Sequence, residues 1–498
     1  MNKIRKTNRI VSSHRGNHEA PKFACSGIFL LFAIIALSGC VVGPDYVPPE
    51  PDMPNSWSEA GDPSLAPKLE DLGDWWQKFN DPILDSIVAR AQENNQDLAL
   101  AIARVMEARA RYGIARSERL PNLVGSGGYS RARMSETILG RDLDNDDIFS
   151  VGFDSSWEID VFGRISRSIE AARADIEVSE EDYNDVMVSL NAEVAISYVQ
   201  LRSFQARLSL ARANVTTQNE SLKIAQTRFD TELAPELDVF QARTNLASTE
   251  SQIPDFESGI VFSINRLAVL LGVFPQALRS ELLPQGPIPT APLEVSTGAP
   301  ADLVRRRPDI RRAERQLARQ TALIGVATAD LYPRFTLSGF FDLQSDHLAD
   351  WVKGKSIAWS LGPAFQWNLF QGGAIRANIN VAEEQAQQSL HIYQNTLLLA
   401  VEEVENAVAA FSNEKKRYAA LGRATYASGK TVELSTELYR RGLSDYQNVL
   451  DANRSKLLND LDKAASEGEA IIALIRLYRA LGGGWSMPQP TLDETPEE

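Results

Sequence analysis

An apolar repeat of 3.5 residues constrains this chain more than any other feature. Between Ile169 and Leu208, apolar or small residues recur three and four positions apart for more than five heptads, with no Pro or Gly among them. A 3.5-residue period keeps one seam of a helix facing a partner helix. Roughly 50 helical residues reach about 75 Å, which is more than a compact domain needs. The pattern therefore predicts long helices that pack side by side in a bundle or a wall.

The same pattern occurs a second time, 210 residues later. Trp157 corresponds to Trp367 at this offset, and Glu193 corresponds to Glu403. Further matches are Arg266 with Arg476, Gly272 with Gly482 and, at an offset of 212, Pro121 with Pro333. Because these matches recur at nearly the same spacing, the chain is predicted to be a tandem duplication of a unit of about 210 residues.

Each repeat also contains two segments in which apolar and polar residues alternate. The clearest are residues 149–157, 335–343 and 357–367, and residues 120–134 form a weaker, Gly-rich one. Each segment has about 10 residues, the length of a tilted strand that crosses a membrane. A soluble sandwich is the alternative. It is disfavoured because four strands are too few and a long helix follows each hairpin.

Four strands cannot close a barrel by themselves. Open sheet edges in lipid cost several kcal/mol for each unpaired backbone group, so a membrane sheet must close. A dimer would supply eight strands, whose interior is filled by side chains, whereas a channel needs a wider barrel. A homotrimer with 12 strands is the smallest assembly that both closes and conducts.

The first 40 residues have the organisation of an export signal. Six Lys or Arg precede a short apolar core at residues 27–37, which ends in Leu37-Ser38-Gly39-Cys40. This ending resembles the lipobox of bacterial lipoproteins, which implies lipid attachment at Cys40. An ordinary signal peptide with a chance cysteine is the alternative. Val41 follows the cysteine, and by resemblance to lipoprotein sorting rules this favours the outer membrane.

The composition argues against several classes of function. The formal net charge is −15, and the acidic body disfavours nucleic acid as a partner. Both cysteines, Cys25 and Cys40, precede the body, so disulfides are not expected in the fold. Only His347 and His391 follow the leader, and no metal-ligand spacing, phosphate loop or nucleophile elbow is present. We therefore expect no enzyme, no cofactor and no metal.

The predicted organisation follows from these patterns. Residues 1–39 are assigned to a lipoprotein signal peptide and residues 40–81 to an extended tether, in which Asp81-Pro82 predicts a helix N-cap. The remaining segments are the first repeat (82–275, with a β-hairpin at 120–158 and a long helix hairpin at 163–251), a Pro-rich connector (276–300), the second repeat (301–484, with a β-hairpin at 333–367 and a helix hairpin at 373–465) and a disordered tail (485–498).

Several short motifs together resemble one family. They are Gly43-Pro-Asp-Tyr46, Asp81-Pro82, Leu303-Val-Arg-Arg-Arg-Pro-Asp-Ile310, Ile324-Gly-Val-Ala327 and Tyr332-Pro333. With the lipobox and the duplication, these motifs resemble the TolC-type outer-membrane efflux channels, in the NodT/OprM-like lipoprotein branch. The resemblance implies a mainly α-helical homotrimer whose 12-stranded transmembrane β-barrel is continued by a periplasmic 12-helix α-barrel with a mixed equatorial domain.

The resemblance also implies a function and its partners. The chain would be the passive exit duct of a tripartite efflux pump for drugs or other small molecules. It would be anchored in outer-membrane lipid through an acylated Cys40 and would dock to a periplasmic adaptor protein and an inner-membrane pump of the RND type. A protein-secretion duct, a non-conducting coiled-coil lipoprotein scaffold and, remotely, an exported hydrolase are the alternatives.

The long helices are expected to end near residues 211–215 and 421–425, which would then form the periplasmic mouth. This places Arg207, Arg212, Asn214, Arg417, Gly422 and Arg423 at the tip, in gate ion pairs or adaptor contacts. Solvated charges at helix ends are the equally weighted alternative. The matched breaks at residues 230–235 and 441–445 predict equatorial kinks at Glu232, Pro235, Gly442 and Asp445. Glu232 departs from the family pattern, in which this position is usually Gly.

Overall fold

The computed structural model describes residues 41–58, 65–66, 71–132, 146–290 and 295–486. The predicted signal peptide, Cys40 and residues 487–498 of the predicted tail lie outside the described residues. In chain order the strands are β1 (Leu65–Ala66), β2 (Asn122–Ala132), β3 (Asp146–Ile159), β4 (Val295–Ser296), β5 (Arg334–Ser345) and β6 (Ile357–Gln366).

Helices make up most of the described chain. They are α1 (Pro82–Asn94), α2 (Gln96–Ser117), α3 (Arg164–Asp230), α4 (Glu236–Glu250), α5 (Ile253–Leu270), α6 (Gln276–Leu282), α7 (Leu303–Arg306), α8 (Pro308–Ala329), α9 (Ala374–Arg440) and α10 (Tyr446–Ala480). Among the described residues, no helix combines the length and the apolar character that crossing a membrane requires.

The chain divides into two compact units, one of which is built around a four-stranded sheet. This unit comprises residues 118–167 and 325–372, together with 41–43 of the N-terminal segment. The strand order is β2–β3–β5–β6, and every neighbouring pair is antiparallel. The two hairpins, one from each repeat, therefore join into one sheet through β3 and β5, while β2 and β6 form its edges.

The register of this sheet separates an apolar face from a polar face. Phe153 lies opposite Phe341, which lies opposite Trp359 on the next strand. One residue earlier, Gly152 lies opposite Asp342 and Asp342 opposite Ala358, on the other face. The large side chains of the apolar face remain exposed in the single chain. A face of this kind must be covered by something other than this chain.

Equivalent hydrogen bonds join the two ends of each hairpin. The Trp157 indole N–H donates to the carbonyl oxygen of Arg119 at 2.8 Å, and the Trp367 indole N–H donates to that of Leu331 at 3.0 Å. Each tryptophan thereby fixes the end of one hairpin to the segment that enters it. The duplication seen in the sequence is thus also present in the contacts.

The second unit lies within residues 44–117, 168–324 and 373–486, and its described residues are mainly helical apart from the short parallel pair of β1 and β4. Its largest core surrounds Trp75, which is fully buried and stacks on Tyr478 with ring centroids 5.3 Å apart. The Asp81 side chain accepts from the backbone N–H groups of Ile83 and Leu84, so the predicted N-cap of α1 is confirmed. The core therefore joins the segment before α1 to the end of α10.

Both long helices have 67 residues and continue through the positions where we expected them to end. Residues 211–215 lie inside α3 and residues 421–425 inside α9, so the predicted helix ends are wrong. The chain instead reverses after Asp230 and after Arg440. The Thr425 hydroxyl donates to the carbonyl of Asn459 at 3.2 Å, and the Ser466 hydroxyl donates to Glu414. These contacts place α10 antiparallel to α9, and α10 extends to Ala480.

A buried arginine connects three helices near the end of α10. Arg307, between α7 and α8, donates to the carbonyl of Ala480 at 2.6 Å and to Glu403 of α9 at 2.8 Å. It also pairs with Asp309 through two hydrogen bonds of 3.0 and 2.7 Å. The side chain is 11 % exposed. Its guanidinium group therefore fixes the start of α8 to α9 and α10.

Candidate functional site

The two helix reversals have the same backbone geometry. In the first, the N–H of Leu233 donates to the carbonyl of Arg228 and the N–H of Glu232 to that of Phe229. In the second, residues 443 and 442 bond to residues 438 and 439 in the same way. This pair of bonds is the Schellman motif, in which the residue after the helix adopts a left-handed conformation. Glu232 has φ 57° and Gly442 has φ 75°, as the motif requires.

The motif also explains how the next helix starts. Pro235 and Asp445 are extended, with φ −73° and −75° respectively, and α4 and α10 begin directly after them. The four positions predicted as kinks, Glu232, Pro235, Gly442 and Asp445, therefore lie in tight reversals between antiparallel helices. The interpretation as equatorial kinks is wrong, because the helices on the two sides of each break run in opposite directions.

Side chains join the two reversals to each other. The Arg228 guanidinium donates to the carbonyl oxygens of Arg440 and Leu233, each at 3.2 Å, and lies 4.8 Å from the centre of the Tyr439 ring. The Tyr439 hydroxyl donates to Asp238 Oδ2 at 2.9 Å. The first reversal thus holds the last turn of α9, and α9 holds the first turn of α4. We call Arg228, Asp238, Tyr439 and the Arg440 carbonyl the reversal lock.

Burial keeps the Tyr439 hydroxyl protonated. Tyr439 belongs to a small core with Val239, Tyr446 and Leu450. Its pKa is raised above the usual value, first by burial and then by its hydrogen bond to Asp238. Burial, with Asp238 nearby, likewise raises the pKa of Tyr446 to about 12. The Tyr439 hydroxyl is therefore a hydrogen-bond donor at every physiological pH, so the contact to Asp238 does not switch with protonation of the tyrosine.

The residues of the lock have no equivalents at the corresponding positions of the other repeat. The counterparts 210 residues away are Leu438 for Arg228, Phe229 for Tyr439 and Asn448 for Asp238. Leucine and phenylalanine carry no hydrogen-bonding group, so these counterparts cannot rebuild the contacts. These hydrogen bonds therefore tie the two reversals in the arrangement seen within this chain. They could not form in the arrangement in which the two repeats have exchanged places.

Apolar side chains protrude at both reversals. Leu233 is 67 % exposed and its counterpart Leu443 is 71 % exposed. Leu237 and Phe240 add further exposed apolar surface beside the first reversal. Exposed apolar residues at matched positions mark a contact surface more strongly than single exposed residues do.

The residues predicted for the tip lie in the interiors of α3 and α9. Arg212 pairs with Glu257 at 2.8 Å, and Asn214 donates to the carbonyl of Leu210 at 3.0 Å. Arg207 lies 4.6 Å from the centre of the Phe256 ring, and burial lowers its pKa. In α9, Arg417 pairs with Glu414, Arg423 donates to the carbonyl of Ala419, and Gly422 lies between them along the helix. Their expected place at a helix end is wrong, whereas their part in a gate stays a prediction.

The sequence analysis missed the three side chains of the lock. The sequence did contain a signal for the lock. Arg228, Tyr439 and Asp238 are polar, whereas the residues at the corresponding positions of the other repeat are of different types. The pairing itself joins residues 201 positions apart, which no local pattern reveals.

In the sheet-containing unit, the segment that follows Cys40 is firmly held. The N–H of Val42 donates to the carbonyl of Phe162 at 3.2 Å, and Arg167 donates to the carbonyls of Val42 and Gly43 at 3.1 and 3.3 Å. Gly43 has φ +92°, and a Cβ there would lie 2.4 Å from Gly325 Cα. Only glycine fits this close backbone approach. The first residues after the predicted lipid site therefore have a fixed position beside the start of α3.

Comparison with known proteins identifies what the chain is similar to. The family model described as "Outer membrane efflux protein" matches residues 87–273 and 299–483, one segment in each repeat. Nodulation protein T of Rhizobium leguminosarum bv. trifolii is 33 % identical over 463 residues, which cover 91 % of this chain and 97 % of that protein.

A second relative and a solved structure show the same likeness. The solvent efflux pump outer membrane protein SrpC of Pseudomonas putida is 33 % identical over 475 residues, covering 92 % of this chain and 98 % of that protein. The outer-membrane channel OprN has a TM-score of 0.84 and 35 % identity, covering 90 % of this chain and 100 % of that chain. The predicted fold class is confirmed by this likeness.

Proposed function

This chain belongs to the family of outer membrane efflux proteins, and we propose that three copies of it enclose one passage that opens and closes at the helix reversals. Membership makes it an outer-membrane efflux channel. We propose that it performs no chemistry and that the energy for transport is supplied by a pump in the inner membrane. The reversal lock is the observation that carries the proposed gating.

The sheet supports closure by three copies. Its edges, β2 and β6, belong to the same four-stranded sheet, and one of its faces is mainly apolar. An edge left open in lipid would leave a row of unpaired N–H and C=O groups, each costing several kcal/mol. Pairing β6 of one copy with β2 of the next removes every edge. Twelve strands then give a barrel wide enough to conduct.

A comparison of equivalent helices in the two repeats also supports an assembly of several copies. Helix α8 packs on α3 through ion pairs, such as Arg312 to Asp182 at 2.8 Å and Arg315 to Glu177 at 3.0 Å. The equivalent pair in the duplication is α2 with α9. Positions buried in the first pair are exposed in the second: Ala318 is 8 % exposed and its counterpart Met106 56 %, while Ala171 is 5 % exposed and its counterpart Val381 54 %. A second copy of the chain would cover these larger side chains.

The lock suggests where the assembly opens. Within one chain, Arg228 and Asp238 tie the first reversal to Tyr439 and the end of α9. By the duplication, the junction between copies would place Leu438 and Asn448 near Phe229, without these hydrogen bonds. The junctions between copies are then the weaker ones. Outward movement of each α9–α10 hairpin, away from the neighbouring copy and from α4 of its own chain, would break the lock and open the passage.

The protruding leucines suggest where an adaptor docks. Leu233 and Leu443 are exposed at matched reversals, and three copies would present six such side chains at one end of the assembly. We propose that the periplasmic adaptor covers them with an apolar surface, and that an inner-membrane pump of the RND type completes the assembly. The lipid anchor is proposed at Cys40, beside the segment that Arg167 holds.

Two measurements test the proposal. Light scattering of the detergent-extracted protein, with the detergent share subtracted, should give about three times the mass of the mature chain. Single-channel recording should then show a higher open probability for Tyr439→Phe, which removes only the hydroxyl of the lock, than for the wild type. Tyr446→Phe, in the same small core, is the matched control.

Each outcome has a clear meaning. A folded monomer in detergent would remove the channel and favour a non-conducting lipoprotein scaffold. Equal open probability in Tyr439→Phe, Tyr446→Phe and the wild type would leave the trimer intact as a proposal but would remove the lock as its gate.

A further inference from the structure

One aromatic side chain lies on the polar face of the sheet. Phe340 of β5 interrupts a face whose neighbouring positions on β3, β5 and β6 are Ser156, Ser338 and Ser360. It is 37 % exposed, although it lies on one of the two central strands. More than a third of this phenylalanine therefore stays uncovered on a face that is otherwise mainly polar, and packing within one chain leaves that apolar surface free for a contact.

Phe340 lies directly opposite a carboxylate. The register pairs Asp154 of β3 with Phe340 on one side and with Val124 of β2 on the other. Directly opposite residues have Cβ atoms about 5 Å apart, so the carboxylate lies between an aromatic and an aliphatic side chain. All three line one shallow depression of about 260 Å³, whose remaining lining is mainly Ser, Gly and Asn.

The carboxylate keeps capacity for another partner. Its Oδ2 accepts from the Ser126 hydroxyl at 3.2 Å. On this face the other described charged groups are Asp342, Glu158, which pairs with Arg164 at 2.8 Å, and Arg334, which pairs with Asp330. No Lys or Arg side chain therefore neutralises Asp154 or Asp342 within the described strands.

We propose that Asp154, Phe340 and Val124 form a contact site for amphiphilic organic cations on the inner wall of the barrel. The proposal rests on the proposed closure, which turns the polar face of the sheet inward. The positive centre of such a molecule pairs with Asp154, and its apolar or aromatic body lies on Phe340, which also attracts cations through its ring face. An anion meets the carboxylate and is repelled. A small cation without an apolar body gains only the ion pair.

The site suits passage rather than retention. A conducting pore needs contacts favourable enough for entry and weak enough for release. The depression is shallow and its ion pair is exposed to water, so each contact is weak. Both central strands belong to one chain, so each copy carries a complete site. Three copies would place three such sites at one height of the barrel.

The test uses single channels in a planar bilayer with three probes. Benzyltrimethylammonium carries charge and ring, tetramethylammonium carries the charge alone, and benzenesulfonate carries the ring with the opposite charge. In the wild type, the aromatic cation should reduce the potassium current at a lower concentration than either of the other two. Phe340→Leu should raise its half-blocking concentration about threefold, and Asp154→Asn should raise that of both cations by about the same factor.

Matched controls separate the site from general effects. Phe341→Leu makes the same change one residue away on the opposite face, and it should leave all three half-blocking concentrations unchanged. Asp342→Asn removes a neighbouring charge without touching the depression. It should lower the preference for cations over anions while leaving the ratio between the two cations as in the wild type. Insertion of each variant with a stable unit conductance checks that the barrel has formed.

The results distinguish this inference from the duct itself. Normal conductance with equal block by both cations, or equal effects of Phe340→Leu and Phe341→Leu, would overturn the site alone. A wild-type protein that inserts but carries no current would overturn the duct and the site together.

Discussion

Replacing Arg307 with Ala should destabilise the protein more than replacing any exposed arginine. The guanidinium is 11 % exposed and holds the carbonyl of Ala480, Glu403 and Asp309 at 2.6 to 3.0 Å. Removing one partner of a buried ion pair costs about 3–5 kcal/mol, because the remaining groups stay buried. Glu403 retains Arg479 at 2.9 Å, so the lower end of that range is expected. We predict a loss of about 3 kcal/mol.

The assay is thermal unfolding followed by circular dichroism, in one detergent and at one protein concentration, because the stability of an oligomer depends on concentration. The midpoint should fall by roughly 3 °C. Arg305→Ala is the control, since that exposed neighbour should change stability by less than about 0.5 kcal/mol. Arg307→Lys keeps the charge but loses the planar fork whose separate nitrogens reach Asp309, Glu403 and the Ala480 carbonyl, so it should lie between the two. A midpoint for Arg307→Ala within 1 °C of the control would falsify the assigned role of this cluster.

Three further outcomes are expected. Glu232→Gly should raise stability by about 1 kcal/mol and Gly442→Ala should lower it by a similar amount, because a side chain in the left-handed region is strained; thermal midpoints that move in the same direction for both variants would contradict this. Gly43→Ala should release the N-terminal segment, measured as faster amide hydrogen exchange at residues 41–46, and unchanged exchange would refute the close packing. Burial alone would raise the pKa of Glu403, but Arg307 and Arg479 together outweigh it and hold the pKa below its unfolded value, so this group stabilises the fold above the unfolded pKa. That contribution should be lost as the pH falls through the lowered pKa, and Glu403→Gln should flatten the acid limb of stability against pH.

The fold class could be predicted from the periodic patterns of apolar residues in the sequence. A 3.5-residue period predicted the long helices, and a two-residue period predicted the strands, because each period records which face of an element is covered. The matched motifs predicted the family, and the comparisons confirmed it. Efflux and the outer membrane, both of which followed from that resemblance, were confirmed with it.

Helix ends were less predictable than helices. Leu421-Gly422-Arg423 suggested an end, yet an internal glycine costs a helix only about 1 kcal/mol, which packing against α10 outweighs. The breaks at residues 230–235 and 441–445 were located from sequence. The direction of the helix after each break was not predicted, because a Schellman reversal and a kink use the same residue types. Only a contact between the two helices, such as that of Thr425 with Asn459, shows that the chain has reversed.

The contacts of the reversal lock could not be predicted from local sequence patterns. Arg228 meets the Arg440 carbonyl across 212 positions of sequence, and Asp238 meets Tyr439 across 201. The residues chosen instead, such as Arg212, were charges near a supposed helix end. Their contacts within α3 and α5 show how readily an exposed ion pair resembles a functional one.

The equal length of α3 and α9 limits how this gene can change. Both helices have 67 residues, and their reversals meet side by side at the bond between Tyr439 and Asp238. Inserting one heptad into α3 and its return helices alone would carry Asp238 about 10 Å past its partner. Lengthening therefore survives selection only when both repeats gain the same number of turns, so insertions and deletions among homologues should occur as pairs about 210 positions apart.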